Sequence, residues 1–507
     1  MGSIEAYQMR ESDLERELEK RGREVLRMLL QEHLDARGIG EVNEAVRDAK
    51  GAERARKRLQ VRGLKTVVGV VGVSRVGYGA PGKESLHPRD AELNLPPQRY
   101  SLELQRRAVE EVSKASFDSG VSSIDGLYGS GSEDEALMIP KRQLEELVPP
   151  AMVDFEAFYA RRTQAGAATV PGSSSVLAMG FDGKGVVMIR RDLRPATRAA
   201  AEKAIPKMTS RLSEGEKPNR KRMAEVATVY TVAPWVRTPE EVARSLVPAA
   251  LPPAGQADET EKRPRPENKR VWASLKKPMK VAIAQAFKEA RSRDPEGKKT
   301  WVALSDGNKE QLTTVQERAR RLRIPLIVIL DLIHVLEYLW KAGRAFHPKS
   351  SEELELWVGE RLLQILRGHS SLVAAGIRRS ATLRGLVGKK RKRVDTCARY
   401  LLNHREYLRY DKYLAAGLPI TTGAVEGTCR HLVADRMDIT GARWSLVTAE
   451  AVLKARALRS SGDLAEYWPF HEEQEYQRNH AARYANAQPP ATEPPFWAKR
   501  AGFRRVK

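Results

Sequence analysis

Residues 300–340 read TWVALSDGNKEQLTTVQERARRLRIPLIVILDLIHVLEYLW. Two continuous apolar runs, WVALS and PLIVIL, flank a segment whose apolar side chains recur at helical spacing. Continuous apolar runs of that length suit central strands covered on both faces, so the stretch predicts strand, amphipathic helix, strand, and then a helix carrying His334. Each strand ends on a carboxylate, Asp306 in an Asp-Gly pair and Asp331 before the second helix. Ligands of open α/β sheets bind just beyond the carboxyl ends of strands, so two neighbouring strands that each deliver an Asp there form a candidate metal site. Asp306 equally suits the start of an Asp-Gly turn and Asp331 the cap of the next helix, and partner residues must decide between these roles.

The charge balance says what such a site would act on. Lys and Arg number 88 against 65 Asp and Glu, a net charge of +23 with a sequence pI near 9.9. A surplus of that size in 507 residues points to a polyanionic partner, with nucleic acid as the default. Cys397 and Cys429 are the only cysteines and form no CxxC pair, which excludes a disulfide framework and a cysteine zinc site and fits a reducing cytoplasm. No apolar run approaches the length that spans a bilayer, and MGSIEAYQMRESDLERELEKRG is too charged for a secretion signal, so the expectation is a cytoplasmic protein with no membrane partner.

From the N-terminus, Asp13 to Ala36 reads as a charged amphipathic helix with Leu14, Leu18, Val25, Leu29 and Leu30 on one stripe. The run TVVGVVGVSRVGYGAPG then resembles a β-hairpin with glycines at the bends, flanked by Arg62, Lys65 and Arg75. Ser101 is placed to cap a helix over LELQRRAVEEVSK, and two further short segments, GVSSIDGLYG and IPKRQLEELVPPAM, complete a set that fits either a helix-turn-helix or an ordinary helical subdomain.

A partner for the two aspartates appears in SSVLAMGFDGKGVVMIRRD, which reads as a hairpin: strand VLAMGF ending in Asp182, a Gly-Lys-Gly turn, and strand VVMIR. A further strand, AEVATVYTVAPW, follows a basic linker. Three consecutive strands, a connection containing a helix near Pro278 to Arg291, and two more strands joined by a helix follow the order of the ribonuclease H fold, in which the first and fourth strands lie side by side. Asp182 and Asp306 then meet. A third carboxylate is expected from a helix packed on the sheet, and ITTGAVEGTCRHLVADRMDITGARWS supplies Glu426 beyond a capping Thr421 or Thr422, with Arg430, Val433 and Met437 on its stripe. Glu426 also suits simple complementation of the helix dipole, but the small residues Gly423, Ala424 and Gly427 around it permit close approach.

Taken together, FDGKGV at Asp182, KRMAEVATVYTVAPWVRTPEE from Lys221, VALSDGNKEQL at Asp306, DLIHVLEYLW at Asp331 and TTGAVEGTCRHLVADRMDITGARWS at Glu426 resemble a DDE transposase of a bacterial insertion sequence, of the ISKra type and more distantly Mutator-like. The resemblance implies an α/β, ribonuclease H-like catalytic core with an all-α insertion, preceded by an N-terminal helical and β DNA-binding region. It implies that Asp182, Asp306 and Glu426 are the catalytic acids and metal ligands, supported by Asp331 and His334 as an Asp-x-x-His element. The implied domains are residues 1–60 (helical), 61–150 (DNA-binding), 151–334 (core, first part), 335–418 (helical insertion), 419–470 (Glu helix) and 471–507 (tail).

Three carboxylates with no His or Cys among them suit two Mg²⁺ or Mn²⁺ ions, about 3.5–4 Å apart, for in-line attack on phosphorus. Within the insertion, Lys389, Lys390, Arg391, Lys392 and Arg393 form a run suited to tracking phosphates, and Arg430, Arg443 and Trp444 are further candidate DNA contacts. Trp444 suits either the core or stacking on an unpaired base, and His334 suits pairing with Asp331, a DNA contact, or the core. The resulting expectation is a homo-oligomer on double-stranded DNA, cutting element ends and joining them to a target. A nuclease or resolvase of the same fold and a transposase-derived repressor are the alternatives. Residues 249–268 and those beyond Tyr476 have disorder-like composition.

Overall fold

The structure is a computed structural model that describes residues 8–129, 137–164, 175–203, 220–248, 263–439 and 441–493. The chain forms two compact units, residues 1–158 with 462–507, and residues 159–461. Among the described residues no helix is long and apolar enough to cross a membrane.

The first unit begins with α1 (Glu11–Ala36) and an antiparallel ribbon of β1 (Arg56–Thr66) and β2 (Gly69–Ala80), to which β3 (Lys83–Leu86) adds. Of the expected glycine bends, Gly82 (φ 68°) holds the one between β2 and β3, and Gly69 (φ 123°) closes the one between β1 and β2. The ribbon turns at Val67 and Val68, and Gly72 lies inside β2. There the open edge of β2 is satisfied by Gln31 of α1, whose amide donates to the Gly72 carbonyl (2.9 Å) and accepts from its N–H (2.8 Å). The side-chain amide substitutes for a neighbouring strand. Three helices follow, α2 (Leu102–Lys114), α3 (Phe117–Tyr128) and α4 (Lys141–Ala151), with Ser101 accepting from the Leu104 N–H at 3.2 Å as the sequence predicts. They bury Leu104, Val109, Val112, Ile124, Leu144 and Val148 among themselves, and α5 (Phe155–Gln164) comes next.

The second unit is built on a mixed five-stranded sheet in the order β6-β5-β4-β7-β8. β4 (Val176–Val187), β5 (Lys221–Val232) and β6 (Glu267–Ser274) are antiparallel, whereas β7 (Thr300–Ser305) runs parallel to β4 and β8 (Leu326–Leu330) parallel to β7. Two expectations are corrected here. The Asp182-Gly-Lys-Gly segment is not a turn. It lies within the single strand β4, which pairs residue for residue with β5 from Val176–Val232 to Val187–Lys221. A turn there would forfeit that half of the ladder and leave its backbone groups without partners. The third antiparallel strand is β6, whose Asn268 falls in the segment of disorder-like composition; residues 249–262 of that segment lie outside the described residues. Its charged start hides it, while Val271, Trp272 and Ala273 at its other end are buried.

Helix α6 (Met279–Arg293) precedes β7, α7 (Lys309–Leu322) joins β7 to β8, and α8 (Leu332–Gly343) leaves β8. The insertion consists mainly of α9 (Glu352–Leu366), α10 (Ser370–Leu383) and α11 (Gly388–Asn403). It is not a separate lobe: Val302, Leu304, Ile329 and Leu330 of the sheet share one buried cluster with Leu339, Leu362, Ile365, Ile377, Ala398 and Leu401. After it come the short α12 (Gly423–Thr428), which continues as a π-helical turn over Cys429–Ala434, and α13 (Leu446–Ser461), whose Glu450 accepts from Ser274 (2.7 Å) and the Leu275 N–H (2.8 Å).

The chain then returns to the first unit in α14 (Leu464–Asn479). The composition beyond Tyr476 suggests disorder, but His480 and Tyr484 are buried and His480 meets the Leu95 carbonyl at 2.9 Å. Residues 494–507 lie outside the described residues.

Candidate active site

The site is set by strand register. β4 and β7 pair in parallel from Val176–Thr300 to Gly180–Leu304, so Asp182 and Asp306 each lie two residues beyond the last pair of neighbouring strands. Asp182 sits in mid-strand because β5 keeps pairing beyond the point where β7 has ended, so both carboxylates lie where the shorter strand opens to solvent.

Asp306 is held by its own turn and by the insertion. Its Oδ1 accepts from the Asn308 N–H (2.9 Å), and Asn308 caps α7 through the Gln311 N–H. The Asp-Gly pair takes the positive φ of 93° at Gly307. From α11, the Tyr400 hydroxyl donates to the Asp306 carbonyl (2.9 Å), while His404 Nε2 lies 3.2 Å from the Gly307 carbonyl. Tyr338 stacks on Tyr400 with centroids 4.0 Å apart. The insertion therefore clamps the loop that bears the second acid.

Glu426 arrives on α12, which lies across β4. A Cβ built on Gly180 would come within 2.0 Å of Val425 Cγ2, so only glycine lets α12 settle this low on the strand, two residues from Asp182. The entry to α12 is fixed by Asp331. This carboxylate is fully buried and accepts from the Thr422 N–H (3.0 Å), the Thr422 hydroxyl (2.7 Å) and the Ile333 N–H (3.2 Å), with His334 Nδ1 at 3.0 Å. Thr422 is the residue before α12 and spends its side chain on Asp331 rather than on a cap. Asp331 is thus a staple between α8 and the Glu426 helix. The π-helical turn shifts the helical phase, so Val433 and Met437 are buried while Glu426 and Arg430 are exposed, and the single stripe read from the sequence is broken.

Negative charge accumulates around these residues. The Cys429 thiol, one turn beyond Glu426, is pushed up by burial, by the charge of Asp182 and by its hydrogen bond to that carboxylate, with Glu426 adding to the effect. Glu225 on β5 is raised by burial, opposed by Arg194, and raised further by Glu310 and Asp182. His334 is raised first by its bond to Asp331 and also by the charge of Asp306. Sequence reasoning missed Glu225 and Cys429; an acid inside the apolar strand AEVATVYTV was the available signal.

No Lys, Arg or His among the described residues forms an ion pair with Asp182, Asp306 or Glu426. Three carboxylates without an ion-pair partner, two following paired segments of the neighbouring strands β4 and β7 and one on α12, fit in chemical type the hard divalent cations that take oxygen ligands. Their oxygens do not all lie within 4.8 Å of one another; the described group that does is Asp154, His471 and Glu475 in the first unit. That group has the donor atoms for a metal, but its geometry is that of an ion-pair network: Asp154 receives both Arg478 nitrogens (2.6 and 2.7 Å) and His471 Nδ1 (2.7 Å), and Glu475 pairs with the same guanidinium. A fixed guanidinium between the carboxylates repels a second cation.

Among the remaining predicted residues, Lys389, Lys390, Lys392 and Arg393 lie in the first turns of α11, and of the five bases only Arg391 pairs with a described acid, Asp395. Arg443 is at the surface, but Trp444 is buried, donates Nε1 to the Met437 carbonyl (3.2 Å) and bridges Met188 just beyond β4. It is a core residue and offers no surface on which a base can stack. No protein-family model matches this chain, and a search of curated proteins finds no match.

Proposed function

We propose that the chain is a DDE-type DNA transposase whose second unit is a ribonuclease H-like core. The strand order supports this reading: numbered by chain position within the sheet, it runs third, second, first, fourth, fifth, with the first three antiparallel and the last two parallel. The observation that carries it is that Asp182 and Asp306 each follow two residues after the last pair, Gly180–Leu304, of neighbouring parallel strands, with the Glu426 helix seated on the Gly180 backbone. In this reading Asp182, Asp306 and Glu426 hold Mg²⁺ or Mn²⁺, which when bound stabilises charge on the entering and leaving oxygens of the phosphodiester. Asp331 and Thr422 position Glu426, Tyr400 and His404 position Asp306, and the start of α11 tracks the DNA backbone. The bases at a helix N-terminus oppose its dipole, a placement that an external polyanion relieves.

The test is Glu426→Gln, which keeps the shape and removes the charge. Glu426 is exposed, so a residue that only complements the dipole changes stability by about 1 kcal/mol or less. Loss of a metal-holding carboxylate instead removes several kcal/mol of transition-state stabilisation, on the order of a thousandfold in rate. The expected outcome is a folded variant that binds a labelled duplex made from the DNA flanking the gene and neither nicks nor joins it in Mg²⁺ or Mn²⁺. Normal cleavage by the variant removes the helix-borne acid and this mechanism with it. Cleavage by the wild type without joining would instead assign a nuclease of the same fold.

A further inference from the structure

The β1–β2 ribbon has one covered face and one open face. By register, Leu64, Gly69, Val71 and Val73 share a face, and α1 covers it: Leu30 and Leu34 pack on Leu64 and the two valines, and Arg27 lies against Gly69. The pairs Leu59–Val76, Val61–Ser74, Gly63–Gly72 and Lys65–Val70 lie on the other face. Val76 is buried in a cluster with Val42 and Val46, but Leu59, Val61 and Val70 are 61%, 71% and 52% exposed, and a Cβ on Gly63 would meet nothing within 4 Å. From Leu59 to Lys65 this open face runs roughly 20 Å. The ribbon's edges beside it are taken: the Lys65 N–H donates to the Arg99 carbonyl (2.7 Å), the Lys65 carbonyl accepts from the Ser101 N–H (2.9 Å), and Gln31 satisfies Gly72. A partner therefore meets the flat of the ribbon and adds no strand to it.

The charge of the ribbon identifies that partner. Residues 56–80 hold six bases and no acid. Arg62 and Arg75 pair with the buried Asp90, and Lys57 lies 3.5 Å from Glu41, while Arg56 and Arg58 are exposed and form no ion pair among the described residues. At Gly63 and Val70 the open face falls into a cleft of about 500 Å³, lined also by Arg62, Lys65, Pro97 and Arg99, and none of the described residues that line it is acidic. Lys65 is anchored there by donating to the Leu137 and Met138 carbonyls, both at 3.0 Å, and Arg99 is exposed. Burial and then the charge of Arg99 push the Lys65 ammonium down, with Asp125 opposing, and an anion between the two cations relieves their repulsion. Duplex DNA is the polyanion whose shape fits the ribbon. Its major groove, about 12 Å wide and 8.5 Å deep, admits two antiparallel strands. Gly63, Gly72 and Ser74 keep the centre of the face free of bulk, so its backbone can approach the base edges.

We propose that the open face of the β1–β2 ribbon lies in the major groove of duplex DNA, with the Arg62, Lys65 and Arg99 cleft holding a backbone phosphate. The proposal rests on the reading of the chain as a DNA-processing protein and names the surface of its first unit that grips the duplex. Its test is fluorescence anisotropy of the full chain on a labelled duplex made from the DNA flanking the gene, across a salt series, with metal-dependent cleavage of the same duplex measured alongside. Arg99→Gln should lower the salt slope by about 0.9, the loss of one phosphate contact. Val61→Glu/Val70→Glu places two carboxylates on the open face at exposed positions, so melting should change little while binding weakens on the order of a hundredfold. Val153→Glu, at an exposed apolar residue outside the ribbon, should bind as the wild type does. Methylation of guanine N7, a major-groove atom, should interfere with binding. Wild-type binding by the double variant, an unchanged slope in Arg99→Gln, or interference from minor-groove methylation alone overturns the proposal, and so does displacement of the duplex by polyglutamate at equal charge. A wild type that binds through the ribbon and never cleaves would retain the ribbon and remove the transposase mechanism. Normal binding and cleavage by the double variant would remove the ribbon and retain the mechanism.

Discussion

Gly180→Ala is the sharpest probe of how the Glu426 helix is seated. The added methyl would lie 2.0 Å from Val425 Cγ2 and 3.3 Å from its Cβ, and Val425 is itself almost fully buried. Val425 is β-branched, with little rotamer freedom on a helix, so the conflict must be relieved by moving α12 away from β4. Overpacking of this kind costs about 1–3 kcal/mol, which corresponds to roughly 2–5 °C in melting temperature for a unit of this size. The catalytic effect should be larger than the stability effect. A displacement of about 1 Å at a reacting group can cost on the order of a hundredfold in rate, and α12 carries Glu426 one residue from the clash. The assay pairs thermal melting with metal-dependent cleavage for Gly180→Ala, Val425→Ala and the double variant. Because Val425→Ala removes the clashing Cγ2, the double variant should recover cleavage toward the Val425→Ala level, a coupling that independent sites do not produce. Gly180→Ala with wild-type melting and cleavage would refute the seating argument, and a double variant as poor as the sum of its parts would refute the contact.

Asp154→Asn strips the neutralising charge from Arg478, and since Arg478 is 40% exposed while Asp154 is buried, the loss should be about 2–3 kcal/mol; added Zn²⁺ should leave wild-type melting unchanged, and a Zn²⁺-dependent rise would make the cluster a metal site after all. Replacing Lys389, Lys390, Lys392 and Arg393 with Gln should weaken binding to all DNA sequences and reduce the salt slope by about 0.9 for each phosphate no longer neutralised; an unchanged slope would make the run an idle surface. The pH dependence of stability should carry the Asp331–His334 pair. Burial pushes the Asp331 carboxyl up, but the bonds from His334 and Thr422 outweigh it and the net shift is downward, so its contribution is present above about pH 4 and lost as pH falls through the lowered value. His334 is raised by its bond to Asp331, so its contribution is full below about pH 6.5 and lost as pH climbs through the raised value. The wild type should therefore lose its stability advantage over His334→Gln as pH rises from about 6.5 through the raised value, and a difference that stays constant through that rise would show the pair to be inert.

By itself the sequence determined those features that depend on neighbours along the chain. The apolar runs of β7 and β8, the Asp-Gly turn at Gly307, the Ser101 cap and the helical periodicity of the insertion are local, because hydrophobic periodicity and turn chemistry act over a few residues. Asp182, Asp306, Asp331, His334 and Glu426 could be singled out as chemistry-bearing residues within or beside their elements. Only tertiary structure decided which of them share a place. The Gly-Lys-Gly after Asp182 has the composition of a turn, and its extended conformation is imposed by β5, a strand that lies more than thirty residues away in sequence and satisfies its backbone. β6 is invisible in the sequence because its burial comes from α13, some 180 residues later. Trp444 looks alike as a surface platform or a core residue until its bridge to Met188 is known, and the role of Asp331 depends on Thr422, 91 residues away. Glu426 shows the division most plainly: its identity and helix are written locally, but its approach to Asp182 depends on the missing side chain of Gly180, and an absence of volume has meaning only against the residue that fills it.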